Sequence, residues 1–135
     1  MDKSINIKNE IAEISKLAPF LEEIGKELSL PPNLVISLNL ALEEAVSNVI
    51  LYAYPQKLGE EIDINVSKRE KTLIFTIKDK GVEFDPTKIP DADVSLSAED
   101  RKIGGLGIFL IKKIMNEVSY ERIEQTNVFT LKKHI

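Results

Sequence analysis

Hydrophobic and polar positions follow a helical period in some parts of the chain and alternate in others. Apolar residues three or four positions apart predict helices over residues 10–28, about 31–54 and from about 107 onward. Pro19 is expected to kink the first helix or split it in two, and Pro55 is expected to stop the second. Alternation predicts strands over residues 4–8, 62–66, 72–78, 117–123 and 127–133.

These elements follow one another without the strict alternation of a parallel α/β protein. The pattern predicts an α+β fold, an α/β sandwich in which helices cover one face of a mostly antiparallel, mixed sheet. The last two strands are expected to pair as a hairpin. Residues 80–104 show little periodicity and are rich in Asp, Pro and Ser, which is typical of a functional loop or lid. The length of 135 residues fits a single domain over residues 1–135.

Composition excludes several classes of site. The chain has no cysteine and one histidine, His134, so disulfides, cysteine-based zinc sites and a Ser-His-Asp triad are not expected. A formal net charge of -4 without a basic stripe gives no reason to expect nucleic-acid binding. No uninterrupted apolar run approaches the ~18 residues of a membrane span, and the N-terminus lacks a signal-peptide pattern. We therefore expect a cytoplasmic protein.

Glu44 and Asn48 lie one turn apart on the second predicted helix, beside its apolar stripe, whereas Glu43 points to solvent. An amide oxygen at such a place can bind Mg²⁺, which prefers hard oxygen ligands and bridges substrate phosphates. The neighbouring carboxylate can orient or deprotonate the group that attacks a γ-phosphate. The alternative interpretation is a solvated helix edge with a bridging amide.

Asp79 ends a predicted strand and shares the core-facing parity of Phe75 and Ile77. A carboxylate on that face must be hydrogen-bonded, and the amino group of an adenine is a suitable donor. Gly81 leaves room beside it for a flat base. The alternative is a common Asp-x-Gly turn, in which Asp79 accepts hydrogen bonds from backbone amides.

A glycine-rich segment, Gly104-Gly105-Leu106-Gly107, leads into the third predicted helix. Glycines at a helix start leave unpaired N–H groups at the positive end of the helix dipole, which is a phosphate site. The segment lacks the Gly-Lys-Ser/Thr of a P-loop and the spaced third glycine of a Rossmann fingerprint. A hinge with a helix cap is the alternative.

Together, the order and residue types of the three motifs resemble the N, G1 and G2 boxes of the GHKL ATPases, which bind ATP in the Bergerat fold. Residues 40–55, 79–86 and 101–118 resemble in particular the anti-sigma-factor serine/threonine-protein kinases of bacteria, and the ending 131–134 is similar as well. The resemblance spans nearly the whole chain from about residue 34.

The resemblance implies a role for each motif. Glu44 would be the general base, Asn48 the Mg²⁺ ligand and Asp79 the acceptor of the adenine amine, with Gly81 lining the base pocket. Residues 86–104 would be the ATP lid. Phosphate contacts would come from Arg101 in the lid and from the start of the third helix, at Gly104, Gly105, Leu106, Gly107 and Ile108.

Three positions depart from the pattern of the family. Glu83 stands where many relatives have the second glycine of the G1 box, and its side chain is expected to turn outward, away from phosphates. Tyr52 replaces a histidine that often follows the N box. Asn127 stands where many GHKL proteins have a threonine that supports the adenine contact, and it can make similar hydrogen bonds.

By resemblance, the chain would be an Mg-ATP-dependent serine/threonine-protein kinase of a partner-switching pathway. It would bind a sigma factor or a comparable target and phosphorylate a small STAS-type antagonist, without direct contact to nucleic acid or membrane. A homodimer is expected, because family members often dimerise.

Two other functions are open at this point. The departures at Glu83 and Tyr52 are compatible with a nucleotide-gated binding module without useful kinase activity. A separated catalytic domain of a histidine kinase would need a phosphoacceptor histidine on another protein.

Overall fold

The computed structural model describes residues 1–53, 59–88 and 105–135, the first two residues of the last range by their backbone only. The strands of this part of the chain are β1 (Asp2–Lys8), β2 (Glu61–Arg69), β3 (Thr72–Asp79), β4 (Glu117–Ile123) and β5 (Thr126–His134). Its α-helices are α1 (Leu17–Leu28), α2 (Pro32–Asn48) and α3 (Gly105–Ile114). Shorter turns are the 3₁₀ segments Ile11–Lys16 and Pro86–Lys88 and the π-helical segment Val49–Ala53.

The five strands form one sheet in the order β1-β2-β3-β5-β4. Every pairing in it is antiparallel, and β4 and β5 form the predicted hairpin. The predicted α+β class is therefore confirmed, and the described sheet is antiparallel throughout instead of mixed. Asp79 at the end of β3 lies directly opposite Asn127 at the start of β5. This register brings a residue from the middle of the chain next to one near its end.

The core lies between the sheet and the helices. Alternate residues of β3, among them Leu73, Phe75 and Ile77, are almost completely buried on the helix-facing side. Their neighbours on the other side of the sheet, such as Lys78, remain accessible. Such alternation of apolar and polar residues is expected for a sheet with one covered face.

The first predicted helix is indeed split, but the break precedes Pro19. A 3₁₀ segment ends at Lys16, and α1 begins at Leu17. Pro19 therefore occupies the first turn of α1, where its missing N–H has no intrahelical partner to lose. Ser29 ends α1 with a left-handed φ of 53°.

Helix α2 begins with Pro32 in its first turn and packs between α1 and α3. At Asn48 the α-helical pattern ends, and Val49–Ala53 continue as a π-helical turn. The prediction of a regular helix to about Tyr54 was thus wrong for this last turn, and Tyr54 and Pro55 lie outside the described residues. π-Helical turns of this kind occur often at functional sites.

By length and mean hydropathy alone, the stretch Pro32–Ala53 reaches the range of a membrane-spanning helix. No membrane span was expected here from the sequence, because no apolar run approaches the length of ~18 residues that a span needs. One face of the stretch, including Leu38, Leu42 and Val46, is buried in the core. We therefore interpret it as the core helix of the sandwich.

Candidate functional site

Two of the three predicted motifs meet where α3 begins against α2. A Cβ atom built on Gly107 would lie 2.9 Å from Oε2 of Glu44 and within 3.7 and 3.8 Å of the side-chain amide of Asn48. The backbone of α3 therefore approaches the carboxylate and the amide as closely as a glycine allows. A helix N-terminus directly beside an acid and an amide is a place where phosphate and a cation can be bound together.

Glu44 is only partly exposed, in contrast to a freely solvated helix residue. Burial raises the pKa of Glu44 above its ordinary value, and the neighbouring charge of Glu43 adds to the rise. A carboxylate with a raised pKa is a stronger proton acceptor when ionised. Glu43 instead accepts a hydrogen bond of 2.9 Å from Nδ2 of Asn39. The two adjacent carboxylates therefore differ in surroundings.

Asn48 is 3% exposed, and its Nδ2 is buried without a hydrogen-bond partner among the described residues. A buried amide without a partner costs free energy, so a ligand that satisfies it would be stabilised at this place. The described residues contain no group of three or more His, Cys, Asp or Glu side chains placed to hold a metal ion. A single amide oxygen, completed by phosphates and water, nevertheless fits Mg²⁺. The residues present are thus compatible with a nucleotide-bound magnesium ion.

Asp79 is buried, with 4% exposure, at the end of β3. Its Oδ1 accepts hydrogen bonds of 2.9 Å from the backbone N–H of Gly81 and from Nδ2 of Asn127. Burial raises the pKa of Asp79, and these two hydrogen bonds and the charge of Arg122 oppose the rise. Both donors use Oδ1, so within the part of the chain that the structure describes Oδ2 can accept a hydrogen bond from a ligand.

Gly81 lies against the end of the π-helical turn. A Cβ atom at Gly81 would lie 2.4 Å from the carbonyl oxygen of Ala53, which accepts a 2.9 Å hydrogen bond from the N–H of Val82. The glycine is therefore required for the loop after β3 to pack against the π-helical turn. Its predicted place beside a flat base remains a prediction, since the space next to its Cα is occupied by Ala53.

An aromatic pair joins the same two elements. The ring of Tyr52 packs on that of Phe84, with centroids 5.1 Å apart and planes tilted by 32°. Within the described part of the chain, the hydroxyl of Tyr52 is buried without a hydrogen-bond partner, and burial raises its pKa. The sequence singled out Tyr52 only as a departure from the family pattern. Its contact with Phe84 depends on the π-helical turn, which periodicity does not predict.

Asn127 is the centre of a hydrogen-bond network next to Asp79. Besides Asp79, its Nδ2 donates to the carbonyl oxygen of Val82 at 2.8 Å. Its Oδ1 accepts from the hydroxyl of Tyr120 at 2.5 Å and from Nη1 of Arg122 at 3.0 Å. Tyr120 and Arg122 were not predicted, because on β4 they look like the inward positions of any edge strand. The signal that points to them is the register of the β4–β5 hairpin.

Other predicted phosphate contacts are only partly described. The predicted lid spans residues 86–104, of which only Pro86–Lys88 are described, as a 3₁₀ turn. Its remaining residues, with Arg101 and Gly104, lie outside the described residues. Gly105 and Leu106 form the first positions of α3 by their backbone. The side chain of Ile108 is fully buried in the core, so only its backbone N–H is suited to a ligand.

A family model described as the histidine kinase-like ATPase domain matches residues 7–133. The chain belongs to this family. The resemblance inferred from the three motifs is thereby confirmed. Membership in an ATPase domain family implies that the protein binds ATP.

Curated relatives of the chain are protein kinases by name. The serine/threonine-protein kinase BtrW of Bordetella bronchiseptica is 27% identical over 115 residues, which cover 85% of this chain and 81% of the relative. The serine-protein kinase RsbW of Listeria monocytogenes is 29% identical over 129 residues, covering 93% of this chain and 81% of the relative.

Solved structures share the fold at low sequence identity. The structure of the RsbU and RsbW domains of a Mycobacterium tuberculosis protein matches 99% of this chain and 32% of that chain, with a TM-score of 0.69 and 13% identity. The SiaB–SiaC complex of Pseudomonas aeruginosa matches with a TM-score of 0.61 and 14% identity, covering 98% of this chain and 89% of that chain. Both likenesses concern the fold alone.

Proposed function

We propose that the protein is an Mg-ATP-dependent serine/threonine-protein kinase that phosphorylates a small antagonist protein. The observation that carries the proposal is the meeting of Glu44, Asn48 and Gly107, in which the acid lies 2.9 Å from a Cβ position at the start of α3. A base, a cation ligand and backbone N–H groups in one place are the groups that phosphoryl transfer requires. The kinase names of the relatives support the same activity.

The nucleotide would lie between β3 and the start of α3. Oδ2 of Asp79 would accept the adenine amine, and the N-terminal N–H groups of α3 would donate to the phosphates. Asn48 would hold Mg²⁺, which neutralises phosphate charge when bound. The pair of Tyr52 and Phe84 would form an apolar wall between these two ends of the site.

Transfer to a protein hydroxyl then requires a proton acceptor. The serine or threonine oxygen of the antagonist would attack the γ-phosphorus, and the bond from that phosphorus to the β,γ-bridging oxygen would break, leaving ADP. The hydroxyl proton would pass to Glu44. Its raised pKa suits this task, because the ionised carboxylate is then more basic than an ordinary one.

The proposed partners are a STAS-type antagonist as substrate and a sigma factor or comparable target as the regulated protein. The names of the relatives and the likeness to a complex of two proteins support a regulatory role. We further propose one domain over residues 1–135, a lid over 86–104 that includes Arg101, and a homodimer in the cytoplasm. Sedimentation at high concentration tests the dimer, and a purely monomeric profile would refute it.

A nucleotide-gated binding module without useful catalysis is the second candidate. It is favoured by Glu83 in the G1 loop, where many members of the family have a glycine, and by Tyr52 after the N box. In that case ATP would change partner affinity by ordering a segment, and phosphate transfer would be dispensable.

Glu44→Gln, with Glu43→Gln as matched control, separates the two candidates. The assay follows transfer of labelled γ-phosphate from Mg-ATP to each STAS-domain protein of the source organism. Under the kinase proposal, Glu44→Gln lowers transfer by roughly 10²- to 10⁴-fold while ATP binding persists, and Glu43→Gln changes little. Absence of transfer by the unmodified protein with bound Mg-ATP would contradict the kinase proposal. Partner control that survives Glu44→Gln would favour the binding module.

A further inference from the structure

A row of polar side chains crosses the helix-facing side of the sheet at one end. Arg122 on β4 lies opposite Asn127 on β5, and Asn127 lies opposite Asp79 on β3. Directly opposed residues are near enough for their side chains to interact across strands. Nη1 of Arg122 donates to Oδ1 of Asn127 at 3.0 Å, and Nδ2 of Asn127 donates to Oδ1 of Asp79 at 2.9 Å.

We propose that Arg122 is a positioning residue that acts through Asn127 to hold Asp79 as an ionised hydrogen-bond acceptor, and so makes the site select adenine over guanine nucleotides. Tyr120 assists by fixing the same amide. This inference rests on the nucleotide binding of the proposed function and adds to it the residues that determine base selectivity.

The first step of the argument is the orientation of the Asn127 amide. Its Oδ1 faces three donors, the hydroxyl of Tyr120, Nη1 of Arg122 and, at 3.4 Å, the N–H of Phe84. Its Nδ2 faces two acceptors, one from Asp79 and one from the backbone at residue 82. The reversed amide would set its NH₂ against Nη1, which can only donate, and its oxygen against two acceptors. Together with the backbone groups of residues 82 and 84, the guanidinium therefore favours the orientation in which an N–H, and not an oxygen, points at Asp79.

The second step is the loop that follows Asp79. Nη1 of Arg122 also donates to the carbonyl oxygen of Gly81 at 2.9 Å, and this nitrogen carries two hydrogens for its two acceptors. The N–H of Gly81 in turn donates to Asp79. Arg122 therefore holds both groups that donate to Oδ1, the amide on β5 and the backbone of the loop.

The third step is charge. Burial raises the pKa of Asp79, whereas the donors Asn127 and Gly81 and the positive charge of Arg122 lower it. Ile62 lies opposite Asp79 on β2 and carries no charge. On the loop, Lys80 and Glu83 are exposed. Arg122 is therefore the described cation whose charge acts on this carboxyl.

Ionisation of Asp79 decides which base it can select. The exocyclic amine of adenine donates a hydrogen bond, whereas guanine presents a carbonyl oxygen at the same position. An ionised carboxylate only accepts hydrogen bonds, so it favours adenine and repels guanine. A protonated carboxyl would also donate and would lose this discrimination. Loss of Arg122 should therefore weaken selectivity as well as affinity.

The test compares ATP and GTP binding by calorimetry across a pH series for Arg122→Met, Arg122→Lys and Tyr120→Phe. Arg69→Met is the matched control, because Arg69 is exposed at the far end of β2. Arg122→Met should bind ATP roughly tenfold more weakly and discriminate less against GTP. As the pH is lowered, it should lose ATP binding at a higher pH than the unmodified protein, and we call this pH the pH limit. Arg122→Lys keeps the charge and should retain the pH limit of the unmodified protein.

Two outcomes would overturn the proposal. One is an unchanged ATP-to-GTP ratio and pH limit in Arg122→Met. The other is an equal loss of ATP and GTP binding with no change in the pH limit, which indicates a structural role only. If thermal denaturation shows that Arg122→Met does not fold, Arg122→Lys and Tyr120→Phe replace it in the test. Each is expected to lose part of the ATP-over-GTP selectivity, and an unchanged ATP-to-GTP ratio in both would contradict the proposal.

A second readout does not depend on nucleotide. NMR of the Asp79 carboxyl carbon in the ligand-free protein should give a higher pKa in Arg122→Met than in the unmodified protein, and an unchanged pKa would contradict the proposal. If the unmodified protein binds no ATP, the proposed kinase function fails. This titration still decides whether Arg122 keeps Asp79 ionised.

Discussion

Glu43 and Glu44 are adjacent carboxylates on one helix, and their surroundings differ because of where the helix packs. Glu44 faces Gly107 at the start of α3, whereas Glu43 contacts Asn39 one turn earlier on α2. Burial raises the pKa of Glu44. A carboxyl with a raised pKa in the folded state stabilises the fold at low pH, and this contribution is lost as the pH rises through the folded-state pKa.

Glu44→Gln is therefore expected to raise the melting temperature slightly at pH 7. Because the carboxyl is partly solvated, the gain should be small, and it should shrink as the pH is lowered towards the ordinary pKa of a glutamate. Thermal denaturation between acid and neutral pH measures it, with Glu43→Gln as control. A melting temperature that falls at pH 7 would show that the Glu44 carboxylate stabilises the free protein.

Asp79→Asn should leave the fold intact and weaken ATP binding. An asparagine oxygen can still accept from Gly81, but the site loses a charged acceptor for the adenine amine. Loss of a hydrogen bond to a charged group corresponds to roughly 10- to 100-fold in Kd. Calorimetry measures it, with Asp85→Asn as control, since Asp85 accepts hydrogen bonds locally from Thr87. Equal ATP affinities for both variants would refute the role of Asp79.

At the scale of elements, the start of α3 combines helix formation with a close approach to Glu44 and Asn48. Gly107→Ala would place a methyl group 2.9 Å from Oε2 of Glu44, and this flexible carboxylate would have to move aside. Alanine favours an α-helix by about 1 kcal/mol over glycine, so the variant should melt at an equal or higher temperature. Mg-ATP binding should nevertheless decrease. Differential scanning fluorimetry measures the melting temperature and calorimetry the Mg-ATP affinity of the same sample. Unchanged Mg-ATP affinity would show that the surroundings of Gly107 are not part of the site.

Gly81→Ala should have the contrary outcome for stability. Its methyl group would meet the backbone carbonyl of Ala53, which cannot move as a flexible side chain can. Such overpacking typically costs about 1–3 kcal/mol. Urea denaturation should therefore give a lower free energy of unfolding, and an unchanged value would mean that the loop after β3 shifts without strain.

Periodicity predicts most of the elements because each is apolar on one face. The alternation in β3 indicates both the strand and the burial of Asp79, and the spacing of Glu44 and Asn48 places them together on α2. Periodicity does not predict how elements pack, so the approach of Gly107 to Glu44 became visible only in the structure. Arg122 was missed because its partners, Asn127 and Gly81, are selected by strand register and loop path.

At the scale of the whole molecule, the unpartnered amide of Asn48 makes ligand binding and stability depend on each other. The free protein bears the cost of a buried donor at Nδ2, whereas a bound nucleotide adds favourable free energy to the folded state alone. At a free Mg-ATP concentration of about 100 times Kd, the stabilisation is about 2.7 kcal/mol. For a domain of this size that corresponds to a rise in melting temperature of roughly 10 °C.

Asn48→Ala separates the cost of the buried Nδ2 donor from the stabilisation by bound Mg-ATP. It removes the unpartnered amide, so the free protein should melt close to the temperature of the unmodified protein, although a buried side chain is shortened. Its rise in melting temperature with ATP should no longer depend on Mg²⁺, because the proposed ligand is gone. Asn39→Ala on the same helix is the control and should keep the Mg²⁺-dependent part. A full Mg²⁺-dependent rise in Asn48→Ala would place the cation elsewhere, and Glu44 would then be the residue to examine as its ligand.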